Sequence, residues 1–211
     1  MEFKAKADEI IRERWGIEVE HWRAKRCYQD LFYTVCNGQK SRIAGGIYGW
    51  PFQRGPWCNS RLKLHALGRL PRDAIQYIGI AADEPGRFHT LTETKLSPLV
   101  EAGWTEADCR RWCEENDLLS PIYTTVTRGG CWFCHNQGVG QLRLLRKNYP
   151  ELWALMLKWD KDSPVTFHAD GHTVHDFERR FQLEDEGLIY PDDRVFRWDM
   201  LESEMLNYRL F

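Results

Sequence analysis

Two of the seven cysteines in this 211-residue chain, Cys131 and Cys134, stand two residues apart in RGGCWFCHNQ, Arg128 to Gln137. A C-x-x-C pair needs a turn that points two sulfurs at one centre, and Gly129 and Gly130 supply the backbone freedom for it. Two thiolates are half a site, because zinc takes four ligands and an iron–sulfur cluster is usually held by four cysteines. Cys58 is the best candidate to extend the set. It lies in RGPWCNSRLK at the start of an expected helix, where backbone amides and the cations Arg54, Arg61 and Lys63 favour a thiolate. His135 is a further candidate ligand, and its alternative is a solvent-facing neighbour of Cys134. The competing reading of Cys131 and Cys134 is a redox dithiol or a pair of reduced buried thiols. Cys109 and Cys113, four apart on one expected helix face, read as packing residues, and Cys27 and Cys36 have no partner at ligand spacing.

Arg54, Arg61 and Lys63 have a second use as an anion clamp, since guanidinium forks and a helix N-terminus suit phosphate or sulfate. The bland alternative is a solvated basic face. Asp83 and Arg87, in AADEPGRF, follow an expected buried strand, and ligands in open α/β sheets sit at the carboxyl ends of strands. A turn closed by an Arg ion pair explains the same residues without a ligand. His168, His172 and His175 in HADGHTVH have metal-like spacings, but Asp170 and Gly171 break a helical reading, so the segment reads as a solvated loop.

These residues need a scaffold, and the chain has the material for one. Apolar residues make up 43% and charged residues 28%, the balance of a globular protein rather than a disordered one. A net charge of −2 gives no strong basic field for nucleic acid, although it allows a local patch. With no long apolar run and no secretory leader pattern, the chain reads as cytoplasmic, where an odd number of cysteines points to reduced thiols or ligands.

Helical spacing runs from Lys4 to Trp15 and stops at Gly16, after which alternation predicts a strand over Ile17 to Trp22. A short helix is expected from Tyr28 to Val35, an irregular loop from Asn37 to Phe52, and a helix from Pro56 to Leu70. The run Ala74 to Ala82 reads as a strand buried on both faces. Thr105 to Asp108 has the form of a capping box that opens a helix to about Asn116, and Pro150 separates two helices over Leu142 to Lys147 and Glu151 to Trp159. Helix and strand in alternation predict an α/β core with parallel strands, spanning 1–160, with an irregular C-terminal extension over 161–211 that packs peripherally.

Taken in order, YGWPFQRGPWCNSRLK, IQYIGIAADEPGR, LSPLVEAGWTEADCRRWC and RGGCWFCHN followed by LRLLRKNYPELW resemble the phosphoadenosine phosphosulfate reductase family. The closer likeness is to its bacterial and phage branch, related to the DNA phosphorothioation sulfurtransferases. The resemblance implies a Rossmann-like adenine-nucleotide α-hydrolase (PP-loop type) sheet flanked by helices. It implies that Cys58, Cys131 and Cys134 match the cysteines of a [4Fe–4S] cluster or zinc site, and that Arg61 and Lys63 match substrate-anion contacts. The S-G-G-x-D-S pyrophosphate loop of the family is absent from the sequence, and no cysteine follows Cys134 to act as the reductase nucleophile. The expected function is therefore the C-terminal portion of an enzyme for sulfur or sulfonate transfer on an adenylated small molecule. Such a chain is a truncated enzyme, a degenerate member or one half of a split enzyme, incomplete in isolation; a partner chain supplying the phosphate loop is expected, or self-association through the sheet edge that the missing strands expose. The alternative is a zinc-stabilised module that binds nucleic acid or protein; neither reading involves a membrane.

Overall fold

The computed structural model describes residues 2–38, 45–51, 56–71, 73–124 and 129–201. The chain is mixed α/β and largely helical, and it divides into two compact units. The first contains residues 1–23 and 65–129; the second contains 24–64 and 130–211.

In the first unit, α1 (Glu2–Trp15) ends where Gly16 takes φ +65° and its N–H donates to the Arg12 carbonyl at 2.9 Å. Arg12 and Arg14 in the last turn suit the negative end of the helix dipole. Trp15 stacks on Trp112 with ring centroids 6.0 Å apart, and Arg14 donates to Asn116 Oδ1 at 3.0 Å. A short helix, α3 (His65–Leu67), leads to strand β1 (Gln76–Tyr77), which pairs in parallel with β2 (Lys95–Leu96), Gln76 opposite Lys95 and Tyr77 opposite Leu96. Ser97 is buried and works twice: its hydroxyl donates to the Ile80 carbonyl at 2.7 Å and accepts from Val100 N, capping α4 (Pro98–Glu101). The capping box is as the sequence predicts. Asp108 N donates to Thr105 Oγ1 at 3.2 Å, Thr105 N donates to Asp108 Oδ2 at 3.0 Å, and α5 (Glu106–Glu115) follows.

Two strand expectations fail in this unit. Residues 17–22 form no strand, and Ile17 is 56% exposed: alternation without a neighbouring strand has no ladder to join. Only Gln76 and Tyr77 of the run Ala74 to Ala82 are in a strand, and Tyr77 is 73% exposed, so this segment is not buried on both faces. Its apolar residues serve instead at its end, where Ile80 and Ala81 are buried.

The second unit is built on three helices, α6 (Val139–Asn148), α7 (Pro150–Asp162) and α8 (Val174–Asp185), with the short α2 (Tyr28–Phe32) and a π-helix (Asn59–Leu64). Leu142 and Leu145 from α6, Trp153, Met156 and Trp159 from α7, and Val174, Phe177 and Phe181 from α8 recur at helical spacing and meet Phe32, Trp50 and Phe167 in one core. Pro150 separates α6 from α7 as expected, since a proline is tolerated in the first turn of a helix and not in its interior. The expectation of a peripheral C-terminal segment is overturned by α8, which supplies core residues and the fully buried Arg180. Arg143 grips Glu184 with two bonds of 2.7 and 3.0 Å, Arg146 grips Glu178 at 2.9 and 3.2 Å, and Arg180 bonds Glu184 at 2.8 Å and also Asp193. Gly49, at φ +63°, carries the chain past Ser163, and Trp50 is then fully buried with its indole N–H donating to Asp160 at 2.9 Å.

Candidate functional site

The C-x-x-C segment is a double turn. Cys134 N donates to the Cys131 carbonyl and Gln137 N to the Cys134 carbonyl, each at 3.0 Å, while the Gln137 side chain donates back to the Cys131 carbonyl at 2.7 Å. This fixes the loop from within and leaves both thiols free. Between the two cysteines, Trp132 stacks on Trp159 at 5.6 Å and Phe133 lies 4.0 Å from the Tyr28 ring, so the knuckle is anchored in the aromatic core by the residues it encloses.

Cys58 joins this neighbourhood. Burial pushes its thiol up and the Cys134 thiol adds to the rise, while the Asn59 N–H and Lys63 pull it back and Cys131 raises it again; the net direction is upward. The sequence expectation that helix amides and nearby cations favour the Cys58 thiolate is thus outweighed in the protein by burial and neighbouring sulfurs. Tyr28, the first residue of α2, reports the same three thiols. Its phenol is pushed far up by burial and then by Cys58, Cys134 and Cys131. Its Oη is buried and has no hydrogen-bond partner, as are Trp57 Nε1 and Trp159 Nε1 in the surrounding aromatic shell. Among the described residues no group of three or more His, Cys, Asp or Glu is drawn together to hold a single metal ion.

His135 is 7% exposed, so it is not a solvent-facing neighbour of Cys134. Its Nε2 has no partner, and its pKa is lowered by burial and then by His168. His168 is mostly buried with an unpartnered Nε2, whereas Ala169, Asp170, Gly171 and His175 are exposed, so the reading of HADGHTVH as a solvated loop holds at its tip and not at His168. His172 stacks on Trp198 at 3.7 Å, and His175 Nδ1 lies 2.7 Å from Asp160 Oδ2 in the first turn of α8. The segment's polar residues secure the start of a core helix.

Of the expected anion clamp, Arg54 lies outside the described residues. Arg61 stands over the Tyr48 ring at 5.1 Å, and Lys63 acts electrostatically on Cys58. Asp83 and Arg87 belong to the other unit. Asp83 accepts from Glu106 N at 3.0 Å, at the start of α5, and Arg87 Nη1 donates to both oxygens of Glu84 at 2.8 Å, while Glu84 Oε2 also accepts from Ala81 N at 3.1 Å. Both residues therefore shape the turn after β1. Beside that turn lies a pocket of about 870 Å³ whose lining includes Arg87, Glu106, Cys109, Arg110, Cys113 and Tyr123. Cys109 and Cys113 are thus pocket residues rather than core; burial raises both thiols, and Cys113 raises Cys109 further. The helical spacing of the pair was the signal for a shared face, and nothing in the sequence marks that face as open.

The fold and site define a mixed α/β chain in which the residues beside Cys58, Cys131 and Cys134 join an aromatic cluster in one unit and a pocket adjoins the end of a parallel strand in the other. Comparison with protein-family models, curated proteins and solved structures finds no match. No helix among the described residues is long and apolar enough to cross a membrane.

Proposed function

We propose that Cys58, Cys131 and Cys134 hold an iron–sulfur cluster in a protein that handles sulfur or sulfonate on an adenylated substrate. The observation that carries this reading is a buried tyrosine hydroxyl without a partner, on a ring packed between Trp57, the neighbour of Cys58, and Phe133, which lies between Cys131 and Cys134. An all-sulfur donor set is soft and suits iron–sulfur clusters, and three cysteines leave one coordination position for an exogenous ligand. The cluster would supply a thiophilic iron at which sulfide is held. Lys63, which acts electrostatically on Cys58, and Arg61, over the Tyr48 ring, supply positive charge in the same segment for an anionic substrate.

The pocket after β1 is the proposed nucleotide subsite, because it adjoins the carboxyl end of a parallel strand and mixes apolar walls with Arg87 and Arg110. The sequence contains no pyrophosphate loop, so nucleotide binding by this chain alone is expected to be weak.

Metal and acid-labile sulfide content of anaerobically purified protein, read with the optical spectrum, test the proposal. Iron and sulfide with broad visible absorption, lost in Cys131→Ser, is the expected result. Stoichiometric zinc without sulfide would overturn it and leave a zinc-stapled binding module as the reading.

A further inference from the structure

Tyr28 packs against four aromatic rings. The capping box of α2, in which Asp30 N donates to Cys27 Sγ and Cys27 N donates to Asp30 Oδ2 at 3.0 Å, fixes the helix start immediately before it. Its ring lies 4.0 Å from Phe133, 4.9 Å from Trp57, 5.5 Å from Trp159 and 6.2 Å from Phe32, centroid to centroid. Its hydroxyl is buried and has no protein partner. Native proteins leave few buried polar groups in this state, because each forfeits its hydration without compensation.

The other unpartnered atoms nearby sharpen the point. Trp57 and Trp159, both packed on Tyr28, each bury an indole N–H without an acceptor, and indole nitrogen is a donor only. A phenol and two indoles therefore offer hydrogens within one aromatic shell, and the electrostatic neighbours of the phenol are the three thiols. What satisfies such a shell is an acceptor, and thiolate and sulfide sulfurs are acceptors.

We propose that Tyr28 is a positioning residue that donates its phenolic hydrogen bond to a sulfur of the group held by Cys58, Cys131 and Cys134. The inference rests on the iron–sulfur reading of those cysteines and adds to it a named donor. Donation to a cluster sulfur stabilises the more negative, reduced state, so it raises the reduction potential and slows loss of the cluster.

The test compares the full chain with Tyr28→Phe, both purified anaerobically, in metal-free and loaded forms. Phenylalanine keeps the ring and removes only the hydroxyl. The metal-free variant is expected to melt at the same temperature as the native chain or higher, since an unpaired buried hydroxyl has been deleted. The loaded variant is expected to show a more negative reduction potential and to lose iron to a chelator about 10-fold faster, the scale typical of outer-shell partners of a metal site. A lower melting temperature of the metal-free variant would show that the hydroxyl already has a partner, and would overturn the proposal. An unchanged potential and an unchanged rate of iron loss would also overturn it while leaving the cluster in place. Failure of the native chain to take up iron and sulfide would remove the cluster reading itself, and the proposal with it.

Discussion

Gly49→Ala should be among the most damaging single-methyl changes available in this chain. Gly49 has φ +63°, a conformation that costs an L-residue about 1–2 kcal/mol. A Cβ built there would lie 2.3 Å from Ser163 Oγ and 2.8 Å from Pro164 Cδ, so Ser163 must move. That hydroxyl accepts from Trp50 N at 3.1 Å and Val165 N at 3.2 Å and donates to the Val165 carbonyl at 2.7 Å. Disturbing two or three such bonds at roughly 0.5–1.5 kcal/mol each, added to the conformational term, gives a loss of about 3–5 kcal/mol. Gly187 is the control: its φ is +70° in the same unit, but nothing lies within 4 Å of its Cβ, so Gly187→Ala should lose only about 1–2 kcal/mol. Urea denaturation followed by tryptophan fluorescence reads both, with buried Trp50 and Trp159 as reporters. Equal losses in the two variants would refute the reasoning, because the close approach to Ser163 is what separates them.

Glu178 offers a pH signature. Burial works to raise its carboxyl pKa, but hydrogen bonds from Arg146, Trp153 and Gln182 outweigh it and hold the group below its ordinary value. Its contribution is therefore present above about 4.5 and is lost as pH falls through the lowered folded value, so melting temperature should drop over that window and Glu178→Gln should flatten the drop. An unchanged pH profile in the variant would contradict this assignment. Alkylation at neutral pH, followed by peptide mass spectrometry, should label exposed Cys27 and Cys131 of the metal-free chain before Cys109 and Cys113, whose thiols burial raises. Adenosine phosphosulfate at millimolar concentration should slow labelling of Cys109 and Cys113 selectively, and an equal rate with and without it would remove the nucleotide from that pocket.

Local signals in the sequence were the ones that translated directly into structure. Gly16 ends α1, the Thr105–Asp108 box opens α5 and Pro150 divides α6 from α7, because each depends on backbone geometry within a turn of the residue itself. Strand readings over Ile17 to Trp22 and Ala74 to Ala82 depended on partners that a local pattern cannot supply. For α8 the signal was present: Thr173 and Asp176 form a capping box and Val174, Phe177 and Phe181 share a face, but Asp170 and Gly171 just ahead dominated the reading. Cys58 and the C-x-x-C pair stand out by chemistry and spacing, and the fold sets Trp57 and Phe133, next to them in sequence, against Tyr28. Tyr28 was not, since a tyrosine beside a short helix cap looks like any core aromatic until its hydroxyl is found without a partner.

The π-helix over Asn59–Leu64 has a geometric consequence for Cys58. In an α-helix, residues five apart point about 140° away from each other, given 3.6 residues per turn. A π-helix closes its turns from i to i+5, which brings such residues nearer to one face than an α-helix does. Cys58 and Lys63 are five apart, and Lys63 is the side-chain cation that acts on the Cys58 thiol. The wider turns that follow Cys58 therefore narrow the angle between its thiol and the Lys63 ammonium, bringing toward one flank two residues that α-helical winding would hold on opposite ones.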